Sequence, residues 1–213
     1  MQPDWTPAID RFHEYVRNEC EYEVVDPGDA EQHRPATTRP FMPNDRIRNY
    51  FTKQNYHELR CIISALLLDV TSIHPHEIVS KYSSVFCTLL SIGKGAYIEH
   101  FRHYDNLSDL ALPFDPDSPP ANLPEAARRP EFLRCFCEAQ WKFCAASFDY
   151  PVADKHYERE RILPIIEKTR LAGGGTANLW LIKIHSSYNN LSREKTMRVC
   201  SCRCLPLIVL ALM

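Results

Sequence analysis

Glycine is scarce in this chain, six among 213 residues, and the scarcity makes its distribution informative. Half of the glycines, Gly173, Gly174 and Gly175, form one run inside "RLAGGGTANLWLIKIH". A basic excess is also missing. Lys and Arg number 25 against 27 Asp and Glu, for a net charge of -2 and a pI near 6.5. Such a balance lacks the electrostatic footprint of a nucleic-acid or anionic-membrane binder, so neither partner is expected. Long apolar runs are missing too. The longest, "CLPLIVLALM" at the end, has ten residues, about half of the ~20 that span a bilayer. The start, "MQPDWTPAIDRFHEY", has no basic segment followed by an apolar one, so no secretory signal is read there. No internal repeat occurs at any period.

Cysteine is not scarce. There are nine, an odd count, and Cys61, Cys87, Cys135, Cys137 and Cys144 fall inside apolar helical patterns. A thiol there behaves as a small hydrophobe. With no secretory signal, the thiols are expected to be reduced and the protein intracellular, cytoplasmic or nuclear.

The hydrophobic fraction of 45% is enough for a core. Trp5, Ile9, Phe12 and Val16 recur at helical spacing and predict an amphipathic helix over 1–21. The polar, proline-rich 22–43 reads as a flexible connector. Asn44 is placed to cap the next helical stretch. Ile47, Tyr50, Phe51, Leu59, Ile62, Ile63, Leu66 and Leu67 make its apolar stripe, for one long helix or two short ones. A further helix is predicted from His76 to about Ile92, closed by Gly93, and "AYIEHFRHY" adds a short one. Six prolines in the stretch near 111–130 predict a linker. "EFLRCFCEAQWKFCAASF" reads as a strong helix with Glu131, Arg134, Glu138 and Lys142 on its solvated stripe. Its broad apolar surface, centred on Phe136 and Trp141, requires cover, from the earlier helices or from a protein partner.

The pattern changes after Arg161. "ILPIIEKTRL", the glycine run and "NLWLIKIH" predict strand, turn, strand. Three successive glycines permit close backbone approach to a ligand, as in phosphate-binding loops. No Gly-Lys-Ser/Thr ending and no following helix are present, which excludes the two commonest phosphate loops. What remains is a glycine-rich turn between two strands, which resembles the lid of a protein kinase small lobe. The chain resembles serine/threonine protein kinase-like proteins of filamentous fungi. The resemblance rests on the "EAQWKF" helix at 138–143, "LPI" at 163–165, the glycine loop and "KIH" at 183–185, and covers about 44–191. In the lid pattern Gly-x-Gly-x-x-Gly-x-Val, Ala172 stands at the first glycine, Gly174 at the second, Ala177 at the third and Leu179 at the valine.

The resemblance implies a mainly α fold: a helical region over 44–150, then the start of a kinase domain over 151–191 as a β-hairpin like the first two small-lobe strands. It implies ATP as cofactor, with the backbone of Gly173, Gly174 and Gly175 at the phosphates and Leu171 and Leu179 against the adenine. No catalytic residue can be assigned. Val-Ala-Ile-Lys, His-Arg-Asp and Asp-Phe-Gly are all missing from the sequence, and phosphoryl transfer needs the lysine, the aspartate and the metal ligands that they carry. The chain therefore reads as a truncated, inactive kinase relative whose tail, 192–213, is atypical and expected to be disordered or loosely helical. A sheet of only two strands would be marginal by itself. The second reading is a helical protein-interaction module carrying a vestigial hairpin.

No metal site is expected. Cys200, Cys202 and Cys204 give three of the four ligands that zinc wants, with no histidine nearby. His74, His76, His100 and His103 have no carboxylate or thiol pattern around them and read as surface or cap residues.

Overall fold

The computed structural model describes residues 6–24, 38–69, 71–149, 157, 160–173, 177–191, 196–202 and 208–211. The chain divides into two units, both discontinuous in sequence. One comprises Met1–Cys20 and Met42–Cys144, the other Glu21–Phe41 and Ala145–Met213. Helix predominates, with antiparallel sheet in the second unit. Among the described residues no helix is long and apolar enough to cross a membrane.

The first unit is helical. Helix α1, Thr6–Glu19, turns Ala8, Phe12 and Val16 into the core, in line with the spacing of Phe12 and Val16. Trp5 lies outside the described residues. Phe12 stacks on Phe51 of α2, Asn44–Ala65, at 6.1 Å between ring centroids and 7° between planes. Asn44 is not the cap of α2. Pro43 holds that position, and its fixed φ suits an extended residue before the first turn. Inside α2 the backbone leaves helical geometry from Lys53 to Tyr56, and Gln54, Asn55 and Tyr56 are left-handed. Of the three, only asparagine visits that region readily, so the two helical segments meet at a strained turn.

The stretch from His76 to Ile92 is not one helix. It divides at Tyr82 into α3, Pro75–Lys81, and α4, Ser83–Ser91. The physical reason is a carboxylate far along the chain. Asp109 accepts the N–H groups of Ser84 (3.1 Å) and Val85 (2.9 Å) and the Ser83 hydroxyl (3.0 Å), so it caps a helix that has no capping residue of its own. At the other end, Gly93 adopts φ +67. Its N–H donates to Leu90 and that of Lys94 to Leu89, the paired closing bonds of a Schellman motif.

Burial pushes the Asp109 carboxyl up to about 6 from 3.8, against the three hydrogen bonds that favour its charged form. The native state then holds this proton over a pH range in which the unfolded chain has lost it. Stability from this group is fully present below about pH 4 and is lost as the pH rises through 6. A shift of that size corresponds to on the order of 2–3 kcal/mol. We expect the Asp109 carboxyl carbon to titrate by NMR with a midpoint near 6. We also expect the stability of the wild type relative to Asp109→Asn to fall between pH 4 and 6. A midpoint near 4 would contradict the burial described.

The helical unit continues through the short α5, Ile98–Phe101, to α6, Pro130–Gln140. The proline-rich stretch between them is not a free linker. Phe114 is buried, and its backbone N–H and C=O are both taken by the Gln140 side-chain amide, at 2.7 and 2.9 Å. The Phe114 ring stacks on Phe136 at 5.0 Å. Helix α6 stops at Gln140, short of the predicted Phe148. Phe143 and Cys144 both donate to the Gln140 carbonyl in a turn, and Ala146 and Phe148 then take up extended pairing with Ile162 and Asn189 in the second unit.

That second unit holds two sheets. Strands β1, Glu21–Tyr22, and β2, Pro40–Phe41, form one. Part of the expected connector 22–43 is therefore fixed structure, while 25–37 lies outside the described residues. The other sheet is a four-stranded antiparallel meander of β3, Ile165–Gly173; β4, Ala177–Ile184; β5, Thr196–Cys202; and β6, Ile208–Ala211. The predicted hairpin is present as β3–β4. The tail departs from expectation: instead of disorder or loose helix it supplies β5 and β6. Thr196, Val199, Ile208 and Val209 are β-branched, and β4 offers an edge for β5 to pair with. The sheet thus has twice the strands expected, and the argument that a lone hairpin is marginal does not apply.

Candidate functional site

The glycine hairpin is the site that the sequence singles out. Its strands pair from Ile165↔Ile184 to Gly173↔Asn178. Side chains fix the register away from the turn. Lys183 pairs with Glu167 directly opposite, and the Lys168 ammonium lies 4.4 Å from the centre of the Trp180 ring, a diagonal cross-strand contact. Ile182 and Ile184 are buried, which holds one face of β4 in the core.

Near the turn the ladder is irregular. Arg170 pairs with Trp180 and Ala172 with Leu179, so Leu171 is an extra residue in β3. Such a bulge bends and twists the strand locally. The structure therefore brings Leu171, Gly173 and Leu179 to the closing end of one hairpin, with Ala172 opposite Leu179. Gly174 and Gly175 lie outside the described residues, as does Thr176. The described backbone provides a twisted hairpin end with small residues, Ala172 and Gly173, immediately before the turn.

β5 reads TMRVCSC and runs antiparallel to β4 from Thr196↔Lys183 to Cys202↔Ala177. The cation in this strand is Arg198, opposite Leu181, and it contains no lysine.

The base of the hairpin is built from sequence-distant pieces. Glu23 is 4% exposed. Its Oε2 accepts from Arg39 Nε (3.2 Å) and Nη2 (3.0 Å), and its Oε1 from the Leu163 N–H (3.3 Å). Val24 N–H donates to the Ile165 carbonyl at the start of β3. His185, at the end of β4, is buried with Nε2 3.6 Å from Glu21 Oε1 and stands edge-on to Phe41 and Tyr188. These groups hold the strands in place and use their polar atoms on one another.

The remaining candidates separate. His100 lies tilted against Tyr104 and its Nε2 donates to the Asn122 carbonyl, a structural role. Among the described residues no group of three or more His, Cys, Asp or Glu is arranged to hold a metal. Cys204 lies outside them. Cys87, Cys137 and Cys144 are buried as expected, and burial pushes the Cys137 thiol up to about 11. Cys61 and Cys135 are half-exposed, and Cys61 packs against the helical core. Sequence reasoning also passes over His57, which lies one helical turn before Cys61. The i, i+4 spacing is the available signal.

Of the apolar face centred on Phe136 and Trp141, Phe136 is core and Trp141 is half-buried. Phe136 is fully buried among Phe101, Phe114 and Phe132. No protein-family model, no curated protein and no solved structure matches this chain.

Proposed function

We propose that this chain is a kinase-like protein that does not transfer phosphate, with the glycine turn surviving as the top of a sheet that lacks the rest of the catalytic apparatus. The observation that carries the reading is β5. It is the strand after the glycine hairpin, where the third-strand lysine of a kinase would be sought, and it offers Arg198 instead. A guanidinium is a planar fork and does not replace an ammonium point charge at a phosphate pair. The lid is also altered, since Ala172 and Ala177 stand at two of the three marker glycines. A methyl group there obstructs close approach of a phosphate to the backbone.

Phosphoryl transfer is mostly positioning and charge stabilisation. Without the lysine, the aspartate and the metal ligands, each missing part costs powers of ten that a loop alone does not offset. ATP is at most a weak ligand on this account, held through the backbone of Gly173, Gly174 and Gly175 with Leu171 and Leu179 at the base. Calorimetric titration with Mg-ATP tests this. The expected result is no saturable heat. Micromolar affinity that Gly174→Val abolishes would make the turn a working nucleotide lid.

A protein partner belongs, on this proposal, to the helical unit, which has a hydrophobic core of its own. Of the face that the sequence offered for it, Phe136 is buried and Trp141 half-buried.

A further inference from the structure

We propose that Cys61 is a thiol–disulfide exchange site for a small anionic disulfide of the glutathione class, seated in a cleft between α1 and the second segment of α2. The cleft has a volume of about 310 Å³ and is lined by Pro7, Arg11, His57, Arg60 and Cys61 among others. This is at the small end of the range of ligand pockets, roughly 300–1,000 Å³. The site lies apart from the glycine hairpin and does not depend on the kinase-like reading.

Three features set Cys61 apart from the other described thiols. First, a base is at hand. His57 Nε2 is 3.7 Å from Cys61 Sγ, one helical turn away. Second, the thiol is half-exposed and opens on a cavity, whereas Cys87, Cys137 and Cys144 are buried, and burial pushes the half-buried Cys20 thiol up. Third, the cleft is cationic. Arg11 is engaged with Glu58 at 3.0 and 3.2 Å, which neutralises one carboxylate, and Arg60 has no ion pair among the described residues. Reactive thiols sit in such partly exposed, electropositive surroundings. Arg60 is the group that would select an anionic co-reactant over a neutral one. The left-handed turn at Gln54–Tyr56 starts the second segment of α2 at His57, and so sets which face of that segment meets α1.

The step balances without a further reagent. His57 Nε2 accepts the Cys61 proton, and the thiolate attacks one sulfur of the disulfide. A new bond forms from Sγ, the original S–S bond breaks, and the departing half leaves as a thiolate that takes the proton back from His57. Cys61 is oxidised to a mixed disulfide while one half of the co-reactant is reduced to a thiol.

The test uses the full chain, treated with oxidised glutathione or with the neutral bis(2-hydroxyethyl) disulfide. Reaction is quenched with acid and the rate at each cysteine is read by peptide mass mapping. Cys61 should react at least about tenfold faster than the half-exposed Cys135, and faster with the anionic disulfide. Arg60→Ala should bring the two disulfides to equal rates, and His57→Gln should slow Cys61. The wild-type comparison of Cys61 with Cys135 needs no variant to fold. Equal rates at those two cysteines, or an anionic preference that survives Arg60→Ala, would overturn the proposal.

Discussion

Replacing Phe136 with alanine lowers the stability of the helical unit by about 3–5 kcal/mol. Phe136 is fully buried, with ring centroids of Phe114, Phe132 and Phe101 at 5.0, 5.9 and 6.3 Å. Truncation loses the transfer free energy of the ring and leaves a cavity that three neighbouring rings cannot close. The damage should spread along the chain. Phe114 stacks on Phe136, and its backbone is clamped by Gln140 on the same helix, so the proline-rich stretch loses one of its anchors on α6. Phe136→Leu keeps part of the volume and should cost less than half as much. Urea denaturation followed by far-UV circular dichroism measures both. A loss under about 1 kcal/mol for the alanine variant would mean that Phe136 is a surface residue and that the face it belongs to is open to a partner.

Arg39→Ala is the second large effect, at about 3–5 kcal/mol. The variant leaves the buried Glu23 carboxylate with the Leu163 N–H as its remaining partner among the bonds described. It also strips donors from the carbonyls of Glu160 and Arg161, both of which accept from the same guanidinium. The penalty is mostly that of an uncompensated buried charge, and this gives it a signature. Removing the charge as well, in Arg39→Ala with Glu23→Met, should recover much of the loss. Arg39→Lys should not, because one ammonium cannot reach Glu23 and two carbonyls together. A double-mutant cycle on the two positions reads the coupling. Hydrogen exchange at the Val24 amide, bonded to Ile165 at the root of the glycine hairpin, reports where the loosening falls. A coupling near zero would show that the pair is not buried as described.

Those two sites also mark the limit of what the sequence discloses. Local period and capping signals suffice for α1, for the Gly93 closure, for the charged stripe of α6 and for the β3–β4 hairpin. They fail wherever a distant residue decides the outcome. Nothing near Tyr82 says that Asp109 will cap α4 there. Nothing in the polar stretch around Arg39 says that it belongs with Glu160, Arg161 and the strand after them, because that pairing spans more than a hundred residues. Prolines suggest a linker at 111–130, where side chains pin the backbone, the Gln140 amide at Phe114, His100 at Asn122 and Arg128 at Ala121 and Leu123. The apolar run of the tail has no evident partner in the sequence, yet β5 supplies the edge with which β6 pairs. For the candidate site, composition locates the glycine turn but not the bulge at Leu171, since a bulge is a property of register between two strands and not of either one.

The account stands or falls on phosphate transfer by the full chain. The measurement is incubation of the purified protein with ATP labelled at the γ-phosphate, magnesium and a generic acceptor protein, with detection of label on the acceptor and on the chain itself. The account predicts no transfer above a no-protein blank and no difference between the wild type and Gly174→Val. Label incorporation that scales with protein concentration and disappears in Gly174→Val would contradict it, and would mean that the glycine turn and the strand carrying Arg198 form a working phosphoryl-transfer site.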